Sequence, residues 1–253
     1  MSVADFEASC DASAPEIARA GATVGQRILR AVRATRDAVG CNTNLGIVLL
    51  AAPLAQAALQ EAGRPLRERL RGVLDSLTVE DAADAYQAIR LAAPGGLGES
   101  PRHDVRDTPT VTLAEAMVEA AGRDTIARQY TSAYADIFEY GLPIAVRALD
   151  RWRSPDWTVA AVYMDFLARL PDSHVARKFG PETAEALRLR AAPYRADLLG
   201  SETPETLSGR LLSFDAALKQ DGLNPGTSAD LCVATIFALM LDQGCRNKIT
   251  VLL

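Results

Sequence analysis

Residues 159–170 read VAAVYMDFLARL, and the spacing of their apolar side chains indicates the fold class. These side chains recur every three or four residues, which places them on one face of an α-helix. They are Val159, Val162, Tyr163, Phe166, Leu167 and Leu170. Similar stripes run from Ile126 to Phe138 and from Val24 to Thr35. Since convincing apolar–polar alternation is absent from the sequence, we predict an all-α fold of about eight to ten helices.

The composition is that of a soluble globular protein, with 253 residues, 49% of them apolar and 23% charged. It excludes a disordered chain, a coiled-coil rod and a collagen-like repeat. No low-complexity linker or internal repeat divides the sequence, so we expect a single compact domain over residues 1–253. The net charge of −5 argues against a nucleic acid as partner.

The two longest apolar stretches, residues 45–59 and 231–241, are shorter than the roughly 20 residues that span a membrane. They therefore predict buried core helices and no membrane association. Cysteines are few and widely spaced, without a CxxC pair, which predicts free thiols rather than disulfides or a zinc site. They are Cys10, Cys41, Cys232 and Cys245. Free thiols and a first segment unlike a signal peptide favour the cytoplasm.

Helix starts can be placed from residues that commonly cap them. A Ser, Thr, Asp or Asn accepts hydrogen bonds from the first backbone amides, and a Glu three residues later completes a capping box. The candidates are Thr110 or Thr112 with Glu115, then Asp172 or Ser173, and finally Thr227 or Ser228.

The first polar segment, residues 40–46 (GCNTNLG), leads directly into a buried helix. Asn42, Thr43 and Asn44 offer several donors and acceptors at the start of that helix, and Gly46 follows them. Backbone amides at a helix start can bind an anion such as phosphate. An ordinary turn with a helix cap would use the same residue types, so both interpretations stay open.

The second segment, residues 96–110 (GLGESPRHDVRDTPT), combines carboxylates, arginines and a histidine. Asp104 and Asp107 are candidate Mg²⁺ ligands, because that ion prefers oxygen ligands and substrate phosphates. Arg102 is a candidate phosphate-binding residue, and His103 is a candidate acid. The alternative is a solvated loop held by local salt bridges.

The third segment, residues 170–180 (LPDSHVARKFG), places His174, Arg177 and Lys178 on one face of a helix. Basic residues near a helix start are unfavourable to the helix dipole unless an anion compensates them. A triphosphate would be such an anion. The alternative is a basic surface turn.

The fourth segment, residues 223–231 (LNPGTSADL), precedes the second buried helix. Gly226 allows a close backbone approach, while Asn224 and Thr227 bring polar groups to the same place. Asp230 is predicted in the first helical turn, where it either favours the dipole or reaches a ligand.

Three boxes in these segments make the chain resemble the triphosphoribosyl-dephospho-CoA synthases. Residues 42–46 match an Asn-Thr-(His/Asn)-(Lys/Leu)-Gly box, and residues 172–177 match Asp-(Ser/Thr)-x-x-x-Arg. Residues 225–231 match Pro-Gly-x-x-Ala-Asp-Leu. The boxes follow in the family's order, and the resemblance runs through nearly the whole sequence.

Two departures from the family pattern carry expectations of their own. The Asn44-Leu45 version of the first box, with the His103-Asp104 loop, resembles the archaeal and methylotroph branch. The family's Pro-Lys-Pro-Gly start is missing, so we expect Met1 to be an internal methionine of a longer reading frame.

The resemblance implies an ATP-dependent transferase. A ribose hydroxyl of 3′-dephospho-CoA would attack the ribose C1 of ATP, adenine would leave, and the triphosphate would stay attached. The implied catalytic residues are Asp172, Asp230 and His174. Phosphate or nucleotide binding is implied for Asn42, Thr43, Asn44, Gly46, Arg102, Arg177, Lys178, Asn224, Gly226 and Thr227. Mg²⁺ is expected with ATP, on Asp104 and Asp107.

Two alternatives stay open at this point. The same chemistry on another small-molecule acceptor would serve the synthesis of a one-carbon carrier cofactor such as tetrahydromethanopterin or methylofuran. The second alternative is a non-catalytic nucleotide-binding protein, which is suggested by the missing Pro-Lys-Pro-Gly start of the family. The apolar helices are compatible with a monomer or an oligomer.

Overall fold

The computed structural model describes residues 2–60, 63–100 and 102–242, and within them the fold is all-α, as predicted. By their internal contacts the residues form two compact units, Met1–Tyr134 and Ala135–Leu253. Thirteen α-helices lie within the described ranges, more than the expected eight to ten, because three of them have only seven or eight residues. No described helix is both long enough and apolar enough to cross a membrane.

Unit 1 contains seven α-helices. They are α1 (Val3–Ile17), α2 (Val24–Val39), α3 (Leu45–Ala58), α4 (Leu66–Asp75), α5 (Val79–Ala92), α6 (Leu113–Ala120) and α7 (Thr125–Ser132). The predicted stripe on α2 is buried, and α3 is the buried helix expected at residues 45–59. Thr112 and Glu115 form the predicted capping box at the start of α6.

The described part of unit 2, residues 135–242, contains a π-helix, a 3₁₀-helix and six α-helices. They are the π-helix Asp136–Gly141, α8 (Leu142–Trp152), α9 (Pro155–Arg169), α10 (Ser173–Phe179), α11 (Pro181–Gly200), the 3₁₀-helix Pro204–Leu207, α12 (Ser208–Gln220) and α13 (Gly226–Leu241). Side chains from α9, α10, α11 and α12 form one apolar core cluster of this unit. The stripe predicted on α9 is largely buried, although Val159 stays exposed.

Buried polar side chains at helix ends hold the helices of unit 1 together. Asp81 caps α5 from within its first turn, and its other oxygen accepts a hydrogen bond from the Gly25 amide of α2 at 2.7 Å. Arg27 donates to the Ile17 carbonyl at the end of α1, at 2.6 Å, and Arg69 donates to the Ala57 carbonyl of α3 at 2.7 Å. A cation is favourable at the carbonyl end of a helix, so both arginines are stabilising. Burial lowers the pKa of Arg27.

The continuous helix predicted from Ile126 to Phe138 is wrong. The chain leaves the helix at Ala133 and Tyr134, whose φ angles are 47° and 58°, and the π-helix follows. An L-residue with a large side chain rarely adopts such angles, so tertiary contacts must compensate the strain. Tyr134 is fully buried, and its hydroxyl donates to the Leu50 carbonyl at 3.1 Å.

The buried tyrosine hydroxyls donate to α3 near a proline, where the backbone of that helix lacks an amide donor. Pro53 lies inside that helix and has no N–H to donate to the Leu49 carbonyl four residues earlier. The hydroxyl of Tyr130 donates to that carbonyl instead, at 2.7 Å, and Tyr134 donates to the next one, that of Leu50. Burial raises the pKa of both tyrosines, so they remain protonated donors at physiological pH.

The thiol prediction is confirmed for the cysteines that the structure describes. Cys10, Cys41 and Cys232 are free, and burial raises the pKa of the Cys232 thiol to about 12. Cys245 lies outside the described residues.

Replacing Tyr130 by Phe should lower the free energy of unfolding by about 1–3 kcal/mol, because the Leu49 carbonyl would be buried without a donor. Pro53→Ala supplies the missing amide, so in that background the same change should cost about 1 kcal/mol less. Urea unfolding of the four proteins measures this coupling. Tyr194→Phe is the control, since its hydroxyl makes no hydrogen bond to the described residues. Equal costs in both backgrounds would contradict the assignment.

Candidate functional site

The first box, residues 42–46, lies in unit 1 at the start of α3, where it was predicted. Asn42 accepts a hydrogen bond from the Leu45 amide at 3.1 Å. Thr43 donates to the Ser9 hydroxyl of α1 at 2.7 Å. The Asn44 amide, which is 8% exposed, donates to Ser13 and to Thr35. The box therefore joins the starts and faces of three helices.

This arrangement supports the structural interpretation of Asn42, Thr43 and Asn44 more directly than the anion-binding one. Each of their side chains is committed to a protein partner, and Gly46 lies in the first turn of α3. Nucleotide binding by these four residues stays a prediction. Ser9, Ser13 and Thr35 were missed because a small hydroxyl on a helix gives no sequence signal of its partner.

The loop between α5 and α6 is organised around the carboxylate of Asp104. One oxygen accepts from the Arg106 amide at 2.9 Å and from its Nε at 2.8 Å. The other accepts from the Ser100 amide at 2.8 Å and from Arg106 Nη2 at 2.9 Å. The Arg106 guanidinium holds the pKa of the Asp104 carboxyl well below its usual range. The local salt-bridge alternative describes Asp104 correctly.

The donor set of this loop fits Mg²⁺ poorly. Both oxygens of Asp104 already accept two hydrogen bonds each, so a metal would have to displace Arg106. Asp107 is exposed and offers a carboxylate, whereas Arg102 is paired with Glu119 at 2.6 Å. Among the residues that the structure describes, no group of three or more His, Cys, Asp or Glu side chains converges. The predicted ligand role does not fit Asp104.

The second and third boxes meet in unit 2, around the carboxylate of Asp172. This side chain is 2% exposed. One oxygen caps α10, accepting from the amides of His174 and Val175 at 2.9 and 3.0 Å. The other accepts from the amide and the hydroxyl of Ser228 in α13, both at 2.8 Å. One carboxylate therefore accepts hydrogen bonds at two helix N-termini, and its contact with Ser228 joins residues 56 apart in sequence.

Further contacts tighten this junction. The hydroxyls of Ser173 and Thr227 lie 3.0 Å apart, and Thr227 also accepts from the His174 amide at 3.1 Å. A Cβ at Gly226 would lie 3.1 Å from Nδ1 of His174. Because such a contact is tighter than side chains normally make, glycine at 226 lets the imidazole pack against the backbone.

The structure corrects several details predicted for this region. Asp172 is the cap of α10, but the prediction that Thr227 or Ser228 caps α13 is wrong, since that helix already begins at Gly226. Asp230 therefore lies beyond the first turn, where it is half-buried. Asn224 is exposed, and its carbonyl accepts from the Gly226 amide at 2.8 Å.

The dipole argument for Arg177 and Lys178 is also wrong. α10 has seven residues, so both basic side chains lie in its last turn, where cations are favourable. Neither residue needs an anion on that ground. Their binding of phosphate stays a prediction, with Arg177 half-buried and Lys178 exposed.

The structure thus brings together Asp172, His174, Gly226 and Thr227 within unit 2. In unit 1, no described hydrogen bond or ion pair joins residues 42–46 to Arg102, Asp104 or Asp107. One polar cluster of unit 2, around Asp165, was not singled out from the sequence, because its members are 4 and 26–30 residues apart and match no motif.

Replacing Asp172 by Asn should lower the free energy of unfolding by about 2–4 kcal/mol, because an amide cannot accept at both helix starts. Asp156→Asn is the matched control. Asp156 is an exposed acid in the first turn of α9, and its loss should cost at most about 1 kcal/mol. Urea unfolding followed by circular dichroism compares the two. Equal losses would show that the double cap contributes nothing.

The sequence and the fold were compared with known families and solved structures. A family model described as "CitG: ATP:dephospho-CoA triphosphoribosyl transferase" matches residues 1–249. No protein of curated function matches the sequence significantly.

A similar solved structure is the crystal structure of a protein from Archaeoglobus fulgidus proposed to be a triphosphoribosyl-dephospho-CoA synthase. The two chains are 23% identical, with a TM-score of 0.70, and the match covers 96% of this chain and 99% of the other. At that identity the likeness supports the fold. Because the family model spans nearly the whole sequence, this chain belongs to the ATP:dephospho-CoA triphosphoribosyl transferase family.

Proposed function

We propose that this protein transfers the 5-triphosphoribosyl group of ATP to a ribose hydroxyl of 3′-dephospho-CoA and releases adenine. The observation that carries the proposal is the family match over residues 1–249. It gives no support to a different acceptor or to a non-catalytic protein. The meeting of the second and third family boxes at Asp172 is consistent with it, since Asp172 and Ser228 come from those two boxes and lie 56 residues apart in sequence.

At C1 of the ATP ribose, the reaction forms one bond and breaks one bond. The acceptor oxygen forms a bond to C1 of the ATP ribose, and the bond from C1 to the adenine nitrogen breaks. The hydroxyl loses its proton to a base, and the leaving adenine takes one up. Positive charge develops on the ribose in between, so a nearby carboxylate would stabilise the transition state, as it does in glycoside hydrolysis.

We propose that Asp230 is the general base and that Asp172 is a positioning residue. A base must reach the proton of the bound substrate. Both oxygens of the buried Asp172 are occupied by amides and a hydroxyl. Asp230 is the carboxylate of the third family box and lies half-buried on α13, the helix whose start Asp172 holds. His174 is held against Gly226 beside this helix start and is the candidate proton donor to adenine.

Mg²⁺ remains a proposal tied to the substrate. When bound with ATP it would neutralise phosphate charge, and Asp107 is the better of the two predicted carboxylates for an outer contact. Asp104 does not fit as its ligand, because Arg106 and the Ser100 amide already occupy both carboxylate oxygens. We further propose that the protein works in the cytoplasm, supported by the free thiols, and not on nucleic acid, supported by the net charge of −5.

Incubation with ATP, magnesium and 3′-dephospho-CoA should release one adenine per triphosphoribosylated product, as measured by chromatography. Omitting dephospho-CoA is the control, and it should abolish the release. Protein that binds ATP but releases no adenine with this acceptor would contradict the proposed function.

Replacing Asp230 by Asn should lower kcat about 10²- to 10⁴-fold, the usual contribution of a general base, with little change in the KM for ATP. The substitution preserves size, and Asp156→Asn again serves as the control, with unchanged kcat. A kcat within about threefold of the wild-type value would exclude Asp230 as the base, because a general base contributes about 10²-fold or more.

A further inference from the structure

Unit 2 contains a buried carboxylate that is shared by two arginines. Asp165 lies in α9 with its side chain 1% exposed. It accepts hydrogen bonds from Arg169 Nε at 3.1 Å and Nη2 at 3.3 Å. It also accepts from Nε of Arg195, in α11, at 2.6 Å. The carboxylate fixes both guanidinium groups at the junction of two helices.

The charge of this cluster is unbalanced. A buried carboxylate needs a cationic partner, and one arginine would be enough to neutralise it. With two arginines the cluster carries a net charge of about +1, on the charge states that arginine and aspartate hold at neutral pH. The neighbouring arginines of α11 differ, because Arg188 pairs with Glu185 and Arg190 pairs with Asp221, one to one.

The unused donors of the two arginines remain accessible. The side chains of Arg169 and Arg195 are 32% and 33% exposed. Arg195 bonds through Nε, so its two terminal nitrogens have no hydrogen bond to the residues that the structure describes. Arg169 donates to Asp165 through Nε and Nη2. Its Cζ atom lies over the ring of Tyr140, 4.4 Å from the ring centroid. The third nitrogen of Arg169 is likewise not hydrogen-bonded to the described part of the chain.

We propose that Arg169 and Arg195 form a polyphosphate-binding site, preorganised by Asp165. Guanidinium groups match phosphate oxygens with paired N–H donors, and arginines held by a buried carboxylate lose little freedom on binding. The excess positive charge of the cluster would attract the anionic ligand. In its choice of ligand the inference rests on the proposed function, whose two substrates carry a triphosphate and a diphosphate. The site lies outside the residues that the family boxes single out.

The first test is a titration of the protein with inorganic triphosphate, followed by calorimetry. Arg195→Gln should weaken binding about 10- to 100-fold, the loss expected for hydrogen bonds to a charged group. Arg190→Gln, on the same helix and 44% exposed, is the control and should bind as the wild type does. Wild-type protein that does not bind triphosphate, or equal affinities for the wild type and folded Arg195→Gln, would overturn the inference.

A second measurement needs no variant and covers the case that Arg195→Gln does not fold. Phenylglyoxal modifies accessible arginines, and peptide mapping by mass spectrometry locates the products. Triphosphate should protect Arg169 and Arg195 from modification and leave Arg190 unprotected. Modification of Arg169 and Arg195 at unchanged rates in saturating triphosphate would also overturn the inference.

Steady-state kinetics then identify the source of the phosphate. A KM increase for ATP alone in Arg195→Gln would assign the site to the triphosphate, and an increase for dephospho-CoA alone would assign it to the diphosphate. An unchanged KM for both substrates would overturn the site as a substrate site. The titration separates this inference from the proposed function, because triphosphate binding needs no adenine release.

Discussion

The carboxylate of Asp172 gives acceptors to the starts of two helices at once, and the polar residues of the second and third family boxes meet around it. Backbone amides at a helix start need partners, and a buried start without them would be costly. α10, with seven residues, is too short to be stable alone in water, so it depends on this contact with α13. Asp81 does the same in unit 1 for α2 and α5. In each unit, a side chain that a motif search would class as catalytic or as a simple cap determines how helices meet.

A carboxylate committed in this way is poorly suited to proton transfer, so the contacts of Asp172 favour a role in fixing the backbone. Asp230, the proposed base, lies on the helix that is thereby fixed. The arginines differ in burial. Arg27 and Arg69 are buried and donate to carbonyl groups at helix ends, whereas the side chains of Arg169 and Arg195 are 32% and 33% exposed. Burial therefore distinguishes the structural arginines from the two proposed to bind a ligand better than residue type does.

Local patterns in the sequence predicted the helical class, the buried helices α3 and α13, and the caps Thr112 and Asp172, because each depends on neighbouring residues. Features that depend on distant residues could not be predicted. The break at Ala133 and Tyr134 interrupts an apolar stripe that continues without change through it. At the early start of α13, which begins at Gly226, Asp172 supplies acceptors to Ser228, 56 residues away in sequence. The boxes revealed the family, but the commitment of Asp104 to Arg106 appears only in three dimensions.

The proline in α3 has a consequence for how this sequence can change over generations. Pro53 is tolerated because Tyr130 and Tyr134 already supply hydroxyl donors to the carbonyls of Leu49 and Leu50. Loss of a tyrosine while Pro53 is present would lower the stability of the fold. If the proline were lost first, a later loss of Tyr130 would lower the stability less. The order of substitutions is thus constrained, and proline at this position should be inherited together with tyrosine at 130 in related lineages.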